Sequence, residues 1–383
     1  MNKWGILSGI RPVKLIREMI VGGEVDPVST FIATYDVTKE KADLAYDIAI
    51  RELKVMDGIG DNDIGLYIGI PFCRSRCAYC SFITDACVNH TELFEPYVEK
   101  LKLEIAYSKD IIEKAGFNVV SAYMGGGTPT AIPAQLIDEI LKEINGLFPN
   151  IREFTVEAGR ADTITYDKLA TIKNNGINRI CINPQTLNDS ILKSIGRLHT
   201  AEDFVNSYKM AREMGFEHIN TDLIAGLPHD TITSFKTSLD KVLSLDPSSI
   251  TVHTLSIKRG SGIHEKPQQF PLPSSKVVNE MIEYSYNVLT TNGYNPYYLY
   301  RQKNQLGNLE NIGYAKDGYE SIYNIMMMEE TSTIISLGAG GVSKTVNNNE
   351  KTINRVFNFK EPHNYIEGID EILGRKDELL KKY

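Results

Sequence analysis

The run Cys73-Arg-Ser-Arg-Cys77-Ala-Tyr-Cys80 sets three thiols at spacing C-x3-C-x2-C on one short loop, directly behind the apolar segment Leu66–Phe72. Three thiolates fill three iron corners of a [4Fe–4S] cube and leave the fourth iron open to another ligand. That open corner is the expected seat of catalysis. A zinc site is the other metal reading, with Cys87 as a fourth thiolate in a tetrahedron. Structural zinc commonly takes its ligands as two paired knuckles, and no second C-x2-C pair occurs in the chain. Unconnected buried cysteines are the remaining alternative.

Composition narrows the setting. Five cysteines, three of them clustered, fit a reducing compartment in which thiolates hold metal better than they form disulfides. The first residues, Met1 to Ser8, run into Arg11 and Lys14 before an apolar signal core can form, and no apolar stretch of 18 residues occurs, so a cytoplasmic protein with no membrane contact is expected. A formal charge of −8 argues against nucleic acid as a partner and favours a small-molecule substrate. With 383 residues, 42% of them hydrophobic, the chain is long enough for one large domain with additions or for two to three domains.

From residue 64 onward, short β-branched runs alternate with longer segments of helical period, the pattern of βα units around a parallel sheet. The strands are expected at Gly65–Ile70, Val119–Met124, Glu153–Glu157, Arg179–Asn183, His218–Leu223 and Ser249–His253. Helices are expected at Glu92–Ala115, Pro133–Leu147, Thr165–Asn174, Ala201–Met214 and Thr231–Leu243. Residues 1–62 read as a helical lead-in, with helices at Lys14–Val21 and Lys39–Val55. Beyond a helix at Lys276–Thr291, the tail holds expected strands Pro296–Tyr300, Ser332–Leu337 and Val342–Val346 and a closing helix Tyr365–Lys381. The distinctive residues fall at the C-terminal ends of the strands, where βα barrels hold ligands.

Those residues begin with Gly125-Gly126-Gly127-Thr128, whose glycines leave main-chain groups open to a ligand or simply make a turn. Strand three runs into Glu157 and strand four into Gln185; each is a candidate polar contact or a plain strand-end cap. Arg197, twelve residues past Gln185, offers a guanidinium fork to a buried carboxylate, or else a surface salt bridge, and Asp222 follows twenty-five residues later.

Together the cysteine loop, the segment Tyr67–Phe72 and the glycine run resemble the radical S-adenosylmethionine (SAM) superfamily. Trp4–Lys14, Thr155–Arg160, Asn183–Thr186, Thr251–His253, Tyr297–Asn304 and Gly307–Tyr314 look like its HemN/HemZ-type oxygen-independent coproporphyrinogen III oxidase group, also called coproporphyrinogen dehydrogenases. The resemblance implies an α/β fold: a partial (β/α)6 TIM-like barrel over 63–293, with a helical N-terminal extension over 1–62 and a small α+β substrate-covering region over 294–383. It implies a [4Fe–4S] cluster on Cys73, Cys77 and Cys80, and S-adenosyl-L-methionine held by Tyr67, Gly126, Gly127, Thr128, Glu157, Gln185, Arg197 and Asp222. It further implies a tetrapyrrole substrate, decarboxylated from propionate to vinyl, and a flavodoxin or ferredoxin-type electron donor.

Decarboxylating relatives carry His where this chain has Gly69 and Cys where it has Ser81. The heme-chaperone relatives carry His and Trp in the stretch that reads Glu310–Ala315 here. A methyltransferase or ring-opening enzyme of the same branch and a heme-binding chaperone therefore stand as alternatives. For a tetrapyrrole, Arg11 and Lys14 and the tail residues Arg301 and Lys303 are the candidate cationic anchors and Tyr298 and Tyr300 the candidate aromatic wall, or else these are ordinary core tyrosines and solvated charges. Met326–Met328 reads as core filling.

Overall fold

The structure, a computed structural model, describes residues 3–9, 11–81, 90–348, 350 and 352–381. Three helices lead in: Pro12–Val21 (α1), Pro27–Tyr35 (α2) and Lys39–Val55 (α3). Proline opens α1 and α2, where its fixed φ suits a first helical turn and its missing N–H leaves nothing unpaired. That is why α1 starts two residues before the expected Lys14. The sequence reading passed over α2, although Asp26 caps it by accepting from the Ser29 N–H at 3.1 Å.

Six parallel strands then follow in sequence order: Asp63–Ile70 (β1), Asn118–Gly126 (β2), Glu153–Gly159 (β3), Arg179–Ile182 (β4), His218–Ala225 (β5) and Ser249–Thr254 (β6). Between them run Phe94–Lys114 (α4), Ala134–Leu147 (α5), Tyr166–Asn174 (α6), Asp189–Ser194 (α7), Ala201–Glu213 (α8) and Ile232–Ser244 (α9). The apolar positions of these helices, such as Leu136, Ile137, Ile140 and Ile144 of α5, are buried in one core with the β-branched strand residues. The expected strands and helices agree with these within a few residues.

The tail does not stand apart from this sheet. After Gly262–Glu265 (α10) and Ser275–Thr291 (α11), strands Asn295–Tyr300 (β7) and Asn311–Ala315 (β8) join beside β6, with β8 antiparallel to it. Helix Ile322–Glu329 (α12) leads to Ile334–Leu337 (β9), which runs parallel to β1, and Val342–Asn347 (β10) and Thr352–Phe357 (β11) continue outward. Among the described residues, one open 11-stranded sheet results, in the order β11-β10-β9-β1-β2-β3-β4-β5-β6-β8-β7.

Strand β8 escaped sequence reading because Asn-Ile-Gly-Tyr-Ala has weak strand character. Its Gly313 is required by packing: a Cβ there would lie 1.9 Å from the Tyr298 ring. The closing helix breaks into Pro362–Glu367 (α13) and Ile369–Leu380 (α14) at Gly368, where the Phe359 ring fills the space a side chain would need. Among the described residues, no helix is long and apolar enough to cross a membrane.

Candidate functional site

The C-terminal ends of β1 to β7 and the N-terminal end of the antiparallel β8 surround a cavity of about 370 Å3, and Cys73, Cys77 and Cys80 all line it. The loop that carries them is held on three sides by main-chain bonds. Thr128 N–H donates to Phe72 O at 2.7 Å, Ala78 N–H to Ile195 O at 2.9 Å, and Ile263 N–H to Ala78 O at 3.0 Å. An apolar cluster of Ile191, Ile195, Ile224, Leu227, Leu255 and Ile263 packs against Ala78 and Tyr79 from below.

The glycine run serves this docking. Gly127 donates its N–H to Ile70 O, and a Cβ on Gly127 would stand 2.5 Å from Phe72 O. A Cβ on Gly125 would stand 2.8 Å from the Glu157 carboxylate. These glycines therefore admit neighbouring protein groups, which is a different use from the bare ligand platform expected from sequence. Gly126 and Gly127 still border the cavity. Thr128 reaches Cys73, Oγ1 to Sγ, at 3.0 Å.

Burial pushes the Cys73 thiol up to about 12, so an unmetallated loop keeps its proton there and metal binding must displace it. Among the described residues, no three His, Cys, Asp or Glu side chains converge on a point where one ion could sit. Cys87 lies outside the described residues; with His90 it makes a C-x2-H spacing that the knuckle argument from sequence overlooked.

Sequence reasoning missed the mooring of the loop by Arg160. This buried guanidinium grips Asp162 with two bonds of 3.0 and 3.1 Å, donates to Ser75 O at 2.8 Å, and points Nη1 at Cys77 Sγ at 3.7 Å. Against the cost of burial, His199 and Arg160 hold the Asp162 carboxyl far below the usual range. The only sequence signal was the position of Arg160 at the end of Thr155–Arg160.

Tyr67, Glu157, Gln185 and Arg197 share the same cavity with the cysteines and Asn183. Arg197 is 8% exposed; it donates to Asn183 O at 2.7 Å and to Tyr79 Oη at 3.2 Å, and its Nε has no partner. Gln185 sits in the left-handed region at φ 68°, held there by a bridge to Leu223, and its Oε1 is unpartnered, as is Asn183 Oδ1. Strained backbone and unmet buried polar atoms at one spot are what a site awaiting a polar ligand shows. Burial and the nearby Asp222 carboxylate raise the Glu157 carboxyl to about 8, in spite of Arg197 and an Asn183 amide bond of 3.3 Å.

Asp222 lies one layer deeper, in a smaller polar chamber of about 120 Å3 inside the barrel. It accepts from Asn220 at 2.7 Å and faces His253 Nε2 at 3.5 Å. Tyr298 borders only this lower chamber of the two, its Oη 3.3 Å from Thr251 Oγ1, while Tyr300 and His253 line both chambers.

The expected basic anchors are elsewhere. Arg301 is 3% exposed, donates to Leu7 O at 2.8 Å and Asn308 Oδ1 at 2.6 Å, and does not line the cavity. Strand alternation explains this, since Tyr300 and Gln302 face the cavity and Arg301 between them faces away. Lys303 is exposed and outside the lining. Arg11 bonds Met328 O and pairs with Glu330 at 2.8 Å, just ahead of β9, whose Ile334 registers with Gly65 near the start of β1. Arg11 therefore sits at the end of the barrel opposite the cysteines, and Lys14 is close by, near Glu329.

A family profile described as the Radical SAM superfamily matches residues 67–242. The oxygen-independent coproporphyrinogen-III oxidase-like protein HemZ of Bacillus subtilis strain 168 is 40% identical over 388 aligned residues, spanning 100% of this chain and 77% of that protein. The heme chaperone HemW of the same organism is 30% identical, across 73% of this chain and 72% of its own length. The solved structure of coproporphyrinogen III oxidase HemN from Escherichia coli superposes with a TM-score of 0.64 over 81% of this chain and 70% of that one; at 22% identity this is a likeness of fold.

Proposed function

Because the chain belongs to the radical SAM superfamily, within its HemN/HemZ-type coproporphyrinogen oxidase-like group, we propose that it removes hydrogen from a reduced tetrapyrrole and oxidatively decarboxylates coproporphyrinogen III. The observation that carries this reading is one cavity shared by three thiols and an unsatisfied guanidinium, amide and carbonyl set. Cys73, Cys77 and Cys80 would hold a [4Fe–4S] cluster, and Arg197, Gln185, Glu157 and Asn183 would receive the polar ends of SAM. Cluster and SAM together supply the power to take a hydrogen atom from an unactivated C–H bond.

The chain's own residues orient and enclose. Arg197 offers Nε to a carboxylate, and Glu157, once ionised, accepts an ammonium group. Tyr67 and Tyr300 contribute aromatic wall to the cavity, and Gln302 and Asn311 polar wall. Each propionate that reacts would lose a β-hydrogen atom, CO2 and one electron, the electron passing to an external acceptor, to become a vinyl group.

Heme delivery is disfavoured by the place of Glu310. Its carboxylate is fully buried, accepting from Trp4 Nε1 at 2.8 Å and Lys41 Nζ at 2.6 Å, and the β8 residues after it are all buried. That stretch offers no axial ligand to iron.

The deciding assay is anaerobic: reconstituted protein, SAM, dithionite and coproporphyrinogen III, with mass spectrometry following loss of CO2. Cleavage of SAM with coproporphyrinogen left intact would shift the reading to a methyltransferase or ring-opening enzyme.

A further inference from the structure

Where β6 and β7 end, three side chains from different strands make a chain of bonds through the cavity wall. Asp222 Oδ2 lies 3.5 Å from His253 Nε2, and His253 Nδ1 lies 3.3 Å from Tyr300 Oη. His253 and Tyr300 are the groups that reach both the main cavity and the chamber beneath it.

The polarity of this chain follows from its lower end. Against the cost of burial, bonds from His253 and Asn220 hold Asp222 below the usual carboxylate value, so it is ionised and can only accept. When His253 is neutral its proton sits on Nε2, because the other tautomer would set a bare nitrogen against a carboxylate. Nδ1 is left as an acceptor, and the Tyr300 hydroxyl donates to it. Burial and Asp222 raise the Tyr300 phenol, so that oxygen keeps a single proton and has already committed it. What Tyr300 still offers the cavity is lone pairs.

We propose that Tyr300 is a specificity-determining residue, fixed by His253 and Asp222 as a hydrogen-bond acceptor that receives a pyrrole N–H of the substrate. This rests on the reading that the cavity takes a reduced tetrapyrrole. It adds a polar role to the aromatic wall expected of Tyr300, and one that a substrate carboxylate cannot satisfy, since a carboxylate has no hydrogen to give. It also makes the cavity selective: a porphyrinogen carries hydrogen on its pyrrole nitrogens, whereas a metal-filled macrocycle with the same propionates carries none. A ribose hydroxyl of the cosubstrate is the other donor that chemistry allows at this point.

The test compares Tyr300→Phe with the parent in anaerobic, cluster-reconstituted protein at pH 8, with three probes: coproporphyrinogen III, palladium(II) coproporphyrin III and SAM. Because each probe is compared with itself, the difference in macrocycle shape drops out. Loss of the acceptor leaves a desolvated N–H unpaired, so coproporphyrinogen should bind about ten-fold more weakly or worse. Palladium coproporphyrin and SAM should stay within about two-fold. His253→Ala frees the Tyr300 hydroxyl to donate towards the cavity, and it should weaken coproporphyrinogen by about three-fold or more with the other probes unchanged.

Equal weakening of both tetrapyrroles by Tyr300→Phe, or none, overturns the inference, as does an unchanged His253→Ala. Weakening of SAM alone overturns it too and assigns the acceptor to the cosubstrate. If the parent decarboxylates coproporphyrinogen while these ratios fail, the inference falls and the proposed function stands. A parent that neither binds nor converts coproporphyrinogen removes both.

Discussion

At the scale of single residues, the chemistry rests on groups whose ordinary behaviour is altered by their surroundings. Replacing Cys73, Cys77 or Cys80 by Ala should abolish a complement of about four irons per chain, whereas Cys87→Ala and Cys181→Ala should keep it. Iron and sulfide analysis after anaerobic reconstitution checks this, and loss of iron in Cys87→Ala would mean that a fourth thiolate closes the open corner. Glu157, with its carboxyl near 8, is protonated at pH 7 until a cation arrives. Pairing with the SAM ammonium should therefore release a proton at pH 7, and affinity should climb from pH 6.5 towards about 8, above which the ammonium itself loses its proton and the gain is reversed. Calorimetry in two buffers of different ionisation enthalpy counts that proton; Glu157→Gln should show none, and a parent that shows none does not use Glu157 for the ammonium. Most of these residues were legible in the sequence because spacing along one loop and position at strand ends survive translation into space. Arg160, His253 and Gln302 were not, since a mooring arginine or a wall residue has no spacing rule and is identified only by what lies across from it.

At the scale of elements, the lead-in helices are joined to the barrel by a cluster of buried charge. Arg17 of α1 pairs with Glu329 of α12 at 3.3 Å, and Glu52 of α3 lies beside that carboxyl. Burial pushes Glu329 up to about 7 against the pull of Arg17, Lys14 and Arg11, and burial with Glu329 raises Glu52. The folded chain thus keeps a proton at Glu329 that the unfolded chain gives up near 4.5. This contribution to stability is fully present below pH 4.5 and is lost as pH rises to about 7. Urea midpoints at pH 5, 6, 7 and 8 should show a shallower decline for Glu329→Gln than for the parent; parallel curves would remove the cluster from the account. The helices themselves were readable from apolar period and proline starts. Strand β8 was not, because its glycine and asparagine serve the Tyr298 ring and the Thr254 backbone rather than strand propensity.

At the scale of the whole molecule, the N-terminal segment, the barrel and the tail share buried contacts. Arg301 is one such bolt, running from β7 to Leu7 O with its guanidinium 5.5 Å above the Trp4 ring. Arg301→Ala should therefore destabilise the protein by roughly 1–3 kcal/mol, the penalty for buried acceptors left unpaired, and leave the KM for coproporphyrinogen unchanged. A raised KM at unchanged unfolding midpoint would return Arg301 to the substrate. The alternating tail sequence Tyr-Leu-Tyr-Arg-Gln-Lys suggested the opposite, because pattern alone gives the two faces of a strand without saying which one meets the cavity. The cysteine loop carries this mutual dependence furthest. Its bond partners, from Thr128 through Ile195 to Ile263, leave the ribosome long after Cys80 does. A nascent chain that has exposed its three thiols still lacks the walls that shape them, so the thiols take up their mutual geometry only in a nearly finished barrel.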